Sequence, residues 1–137
     1  MPADPARVGE ILRTARRIAV VGLSPKPERP SHGVAAYLQR AGYTIIPVRP
    51  TGSVILGEPV QPSLVAAAAA GPIDIVNIFR RSEYVAALMD DVLAVRPRLV
   101  WMQLGIRDEA AARRIEAEGI AVVMDRCLAV DHHSLGG

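Results

Sequence analysis

The chain of 137 residues contains one cysteine, one lysine, one tryptophan and one phenylalanine. Cys127, alone, cannot close an internal disulfide, and one thiolate is too few for a structural zinc site. The chain suits a reducing cytoplasm, and its fold must rest on a packed core. Only three tyrosines complete the aromatics, and the basic residues are scattered rather than striped. A nucleic-acid surface needs a basic stripe and rings to stack on, so none is expected. Long apolar runs are also lacking. The longest uncharged stretch, Pro59 to Ile73, holds three prolines and stops at Asp74, so no membrane span is expected. Met1-Pro-Ala-Asp-Pro5 lacks the basic-then-apolar pattern of a signal segment.

What is present is hydrophobic and regularly punctuated. Half of the residues are apolar and the net charge is only +2, which excludes a disordered chain and fits one domain over residues 1–137. Fifteen of the sixteen basic residues are arginine; Lys26 is the exception.

Apolar runs alternate with stretches of helical period. Asp4 and Pro5 precede a first helix that ends near Ala15. Strands are expected at Arg17 to Gly22, Thr44 to Val48, Asp74 to Phe79, Leu99 to Met102 and Ile120 to Met124. A helix from Ser31 to Ala41, with Ser31 as its cap, joins the first two. Residues 49–62 are rich in proline and glycine and read as loop. Ser63 caps a short helix through the alanine run, Ser82 starts a third crossover helix, and Asp108 caps a fourth, ended by Gly119. Strands with little internal polarity, separated by helices, imply an α/β fold. The expected form is a doubly wound parallel sheet of about five strands, order 3-2-1-4-5, with helices on both faces. Ligands then bind at the carboxyl ends of the strands.

The first strand end is the richest. Gly22 lets the backbone approach a phosphate, Ser24 can donate to it, and Lys26 and Arg29 add charge beside a helix start. Pro25, Pro27 and Pro30 stiffen that loop. No second glycine follows until Gly33, so neither the dinucleotide fingerprint nor the Walker loop is present. After the second strand stands Arg49, where an NAD site carries an acid. An arginine fork suits a phosphorylated ribose, as in NADP or coenzyme A, though an exposed loop arginine would look the same. After the third strand come Asn77, Phe79, Arg80 and Arg81; Phe79 stacks on a base or plugs the core. After the fourth, Gln103, Leu104 and Gly105 form a polar-edged turn, in which Gln103 orients a ligand amide or bonds to the start of a helix. Beyond the fifth lie Asp125, Arg126, Cys127, Asp131, His132 and His133. Adjacent histidines cannot share one metal on a regular element, and no spacing supports a Cys–His nucleophile, so no metal and no catalytic residue is expected.

The order of these strand ends resembles the stand-alone CoA-binding domain family, related to the amino-terminal part of the succinyl-CoA synthetase α subunit. The matching residues are Ala19-Val-Val-Gly-Leu-Ser24, Pro27-Glu-Arg-Pro-Ser31, Tyr37-Leu38, Ala41-Gly-Tyr43, Pro47-Val48 with Pro50, Gly57, Ser63-Leu64, Asp74-Ile-Val76, Val100-Trp-Met-Gln-Leu-Gly-Ile106 and Asp125-Arg-Cys127. The resemblance implies a Rossmann-type fold that binds coenzyme A. By position, Gly22, Leu23, Ser24 and the loop through Lys26 and Arg29 to Ser31 and His32 would hold the pyrophosphate. Arg49 would lie near the adenosine phosphate, Phe79 and Arg80 beside the nucleotide, and Gln103, Leu104 and Gly105 along the pantetheine. Arg49 stands where the family pattern often has asparagine. The synthetase's phosphorylated histidine belongs to a second domain without counterpart here, so neither His132 nor His133 inherits that role.

The expected function is therefore non-catalytic binding of CoA or an acyl-CoA, as carrier, sensor or subunit. Two alternatives stand beside it: an NADP-dependent oxidoreductase, and a CoA-binding subunit of a larger acyl-CoA synthetase. The expected partner is a CoA-type small molecule. A protein partner or a second copy of the chain stays open.

Overall fold

Five parallel strands form the centre of the molecule, in a computed structural model that describes residues 4–135. They are β1 (Arg17–Val21), β2 (Thr44–Val48), β5 (Ile75–Ile78), β6 (Leu99–Met102) and β7 (Ala121–Val123), each within a residue or so of its expected span. A two-stranded antiparallel hairpin, β3 (Val54–Ile55) with β4 (Glu58–Pro59), lies in the stretch read as loop. The helices are α1 (Pro5–Thr14), α2 (Pro30–Arg40), α3 (Leu64–Ala68), α4 (Met89–Val95), α5 (Glu109–Glu116) and α6 (Leu128–Ser134).

Side-chain alternation along the strands builds two cores. Ile18, Val20, Ile45, Ile75, Leu99 and Trp101 point to one face, where α1, α2 and α6 cover them. Ala19, Val21, Ile46, Val76, Val100 and Met102 point to the other, under α3, α4 and α5. Helices thus cover both faces, as doubly wound sheets require.

The sheet order is β2-β1-β5-β6-β7. Counted over the parallel strands this is 2-1-3-4-5, which corrects the expected 3-2-1-4-5. The third parallel strand, β5, pairs with β1 rather than β2. The outer end of β2 is taken instead by Gln61, which donates to Pro47 O at 2.8 Å and accepts from Arg49 N at 3.0 Å. Pro47, with no N–H of its own, is at home in this edge strand. The correction moves the topological switch point to the gap between β1 and β5.

Capping follows the sequence at three helices. Asp4, Ser63 and Asp108 accept from Ala6, Ala66 and Ala111 N–H groups. Two caps differ. Helix α2 begins with Pro30 at its first turn and Arg29 as an uncapped start, because the Ser31 hydroxyl accepts from Ser24 N at 3.0 Å. Ser82 starts no α-helix: its hydroxyl accepts from Arg107 N at 2.9 Å. The chain there makes two short 3-10 turns before α4 begins at Met89.

Candidate functional site

The carboxyl ends of β1, β2 and β5 converge at the switch point. Gly22 leaves β1 with φ +86°, a conformation that L side chains rarely adopt. It lies so close to β5 that a Cβ built on it would stand 2.7 Å from the Phe79 carbonyl oxygen. Gly22 N still donates to Val48 O at 2.9 Å, so the turn is held on both sides, by β2 and β5. Leu23 is then fully buried, main chain included, and packs beneath the turn.

The loop that follows is stapled by two hydroxyls. Ser24 N donates to Ser31 Oγ at 3.0 Å, and Lys26 N donates to Ser24 Oγ at 3.1 Å. These bonds place the Ser24–Lys26 turn against the first turn of α2. With no side-chain cap, the positive end of α2 is free to meet an anion. Ser31 is buried, His32 half-buried, and Lys26 and Arg29 reach into solvent.

Around this turn stand cations from three strand ends. Arg49, half-buried, donates weakly to Leu23 O at 3.4 Å and so ties the end of β2 to the β1 turn. Arg80 is half-buried and Arg81 exposed after β5. Among the described residues none of Lys26, Arg29, Arg49, Arg80 and Arg81 has an ion-pair partner, whereas Arg96, Arg107, Arg114 and Arg126 each pair with an acid. Glu28 is the one acid in the loop. The crevice is therefore ringed by uncompensated positive charge. Phe79, half-buried, packs against the α2 side of the core.

The β6 end does something different. Gln103 is buried, and its side-chain oxygen accepts from Leu128 N at 3.0 Å. It thus anchors the start of α6, a helix absent from the sequence reading. Leu104 is 66% exposed and Gly105 turns at φ +81°. Gly105 N donates to Asp125 Oδ1 at 2.7 Å, and Asp125 itself adopts a positive φ of 60°. The sequence reading named Asp125 beyond the fifth strand but gave it no role at the site. Its signal was that position alone.

Helix α6 is clamped at its far end too. His132 is buried, with Nδ1 2.8 Å from the Tyr37 hydroxyl and its ring edge-on to Tyr37 and Tyr43. Burial, helped by nearby His133, pushes the His132 pKa below the usual histidine value, so the ring is neutral at pH 7. Its partner is Tyr37 rather than Cys127, which is half-buried at the start of α6. Among the described residues no group of three histidine, cysteine or acidic side chains could hold a metal. No described helix is long and apolar enough to cross a membrane.

The model of a family described as a CoA binding domain matches residues 16–133. The chain is 44% identical to the Bacillus subtilis (strain 168) protein YneT over 127 residues, 93% of each chain. A Thermus thermophilus protein of known structure is 38% identical, with a TM-score of 0.91, over 96% of this chain and 98% of that one. A more distant likeness, of fold alone, is to acetyl-coenzyme A synthetase 1 of Ca. Korarchaeum cryptofilum. There the identity is 21% and the TM-score 0.68, over 84% of this chain but 27% of that one.

Proposed function

Because the chain belongs to the CoA-binding domain family, we propose that it binds coenzyme A or an acyl-CoA without acting on it chemically. The observation that carries this reading is the set of five cations without acidic partners at the ends of β1, β2 and β5. Coenzyme A presents a pyrophosphate and a ribose 3′-phosphate, and both demand positive charge in a confined place. The β1 turn and the start of α2, with Gly22, Ser24, Lys26, Arg29, Ser31 and His32, take the pyrophosphate. Arg49 takes the 3′-phosphate through its planar fork. Phe79 and Arg80 border the adenosine, and the pantetheine leaves over Gln103, Leu104 and Gly105. Leu23, fully buried, supports the turn from beneath. Gln103 acts indirectly, by holding α6 against the end of β6, and Leu104 is the exposed wall of that path.

The discriminating experiment is Arg49→Ala, read by calorimetry with CoA and with dephospho-CoA. A charged hydrogen bond of this kind is worth about 1.5–3 kcal/mol, so CoA affinity should fall roughly ten- to a hundredfold. Dephospho-CoA affinity should barely change. Equal losses for the two ligands would take Arg49 out of that role. A second reading, as the CoA-binding subunit of a larger acyl-CoA synthetase, draws on the fold shared with about a quarter of the synthetase chain. A stable complex with a nucleotide-binding partner would favour it.

A further inference from the structure

Away from the crevice, a second concavity lies along β7, the outer strand of the sheet. A groove of about 830 Å³ runs there between α5 on one face and α1 and α6 on the other. Its floor is apolar and deep. Leu12, Trp101, Ala112 and Val122 line it, and none of them is more than 4% exposed. The indole N–H of Trp101 already donates to Arg126 O at 2.7 Å, so it offers nothing to a polar guest. At the upper rim the charges satisfy one another: Arg126 pairs with Asp131 at 2.6 Å and Arg107 with Glu109 at 3.2 Å.

The position of that rim is informative. Arg107, Met124 and Arg126 mark it, at the carboxyl ends of β6 and β7. Gly105, the last residue of the pantetheine path, is bonded to Asp125, which lies between Met124 and Arg126 in the chain. The groove therefore opens where the thiol end of a bound CoA would emerge. We propose that it receives the hydrocarbon chain of an acyl-CoA, so that the preferred ligand is a long apolar thioester rather than free CoA. This rests on the CoA reading of the crevice.

The chemistry of the groove favours a hydrocarbon over a peptide. A docking strand needs main-chain groups at the sheet edge. Of the three residues of β7, Ala121 and Val122 are no more than 4% exposed and Val123 is half-buried, which leaves little edge for a strand to pair with. Among the described residues, the only buried side-chain atoms without a hydrogen-bond partner are those of Asn77, which is not part of the lining. A methylene chain asks for no partner and gains from each group it buries.

The test uses S-alkyl-CoA thioethers from methyl to dodecyl, which cannot be hydrolysed, with the intact protein in a calorimeter. Each buried methylene should tighten binding about fourfold, so if only about four of the added methylenes are buried, dodecyl-CoA should still bind more than roughly a hundredfold tighter than methyl-CoA. Leu135→Glu, at a groove residue 54% exposed, should erase most of that gain and leave CoA affinity unchanged. Ala112→Phe, which fills the floor, should do the same, with circular dichroism verifying its fold. Equal affinity for all chain lengths, with CoA itself binding, overturns the groove and leaves the crevice standing. A chain-length gain that survives Leu135→Glu in full also overturns it. No binding of CoA at all overturns both readings together.

Discussion

Replacing Gly22 by alanine should break both the turn after β1 and the proposed ligand site. Two effects add. The residue stands at φ +86°, where an L side chain costs about 1–2 kcal/mol. The new methyl would also sit 2.7 Å from the Phe79 carbonyl oxygen. That oxygen belongs to backbone, so it cannot rotate away as a side chain would. The end of β5 must shift, or the β1 turn must open, and the summed cost should be about 2–4 kcal/mol. Urea unfolding is the assay. With a slope of about 1–3 kcal/mol/M, the midpoint should fall by roughly 1–2 M without a change of slope. Gly33→Ala is the control, since nothing lies within 4 Å of its would-be methyl and it sits within α2. That change should be neutral or stabilise by up to about 1 kcal/mol. CoA binding should survive Gly33→Ala and be lost with Gly22→Ala under conditions where the variant is still folded. If Gly22→Ala shifts stability by less than about 0.5 kcal/mol, the turn is not fixed between β2 and β5, and the crevice geometry argued from it is wrong.

Three other outcomes are expected. His132 has a folded-state pKa below its unfolded value, so the unfolded chain binds the extra proton; stability should be level above about pH 6.5 and decline as pH falls from there towards the lowered folded value. Urea midpoints between pH 7.5 and 5 should show that decline, and His132→Phe should flatten it; an unaltered slope in the variant would assign the decline elsewhere. Asn77 is fully buried in β5 between Val20 and Trp101, with neither amide atom bonded to protein. Asn77→Val should therefore raise stability by about 1–3 kcal/mol, and a loss of that size would show that the amide is bonded after all. Cys127, half-buried beyond β7, lies on the side where the CoA thiol should emerge. Incubation with CoA disulfide should add one CoA to the intact mass, reversibly by reductant and not in Cys127→Ser; no adduct on a protein that binds CoA would make the cysteine a packing residue.

The strands were legible because they are short apolar runs with sharp ends, and Thr44–Val48 and Leu99–Met102 match to the residue. Sheet order was harder to read, since it depends on the side of β1 on which a crossover lands, and no local pattern encodes that. Pro47 carried a signal that the expected order 3-2-1-4-5 did not use: a proline in a strand marks an edge, and β2 is the edge strand. The β3–β4 hairpin turns on Leu56 and Gly57, both at positive φ. Leucine is not a residue that advertises such a turn, whereas Asn-Gly would have done so. Helix α6 has no side-chain cap; its start is held by Gln103, 25 residues away in sequence. Ser31 and Ser82 looked like caps, but their hydroxyls serve Ser24 N and Arg107 N. At the site, the glycine, the hydroxyls and the cations were all visible as residue types at strand ends. What the sequence did not display was which arginines find an acid: among the described residues Arg96, Arg107, Arg114 and Arg126 do, and those of the crevice do not.

The central claim is that this crevice takes coenzyme A. Mass spectrometry of the purified protein under non-denaturing conditions, after addition of equimolar CoA and NADP, measures it directly. One CoA or acyl-CoA retained per chain, with NADP excluded, is the predicted result. NADP retained in place of CoA, or neither ligand retained by a folded chain, would contradict it.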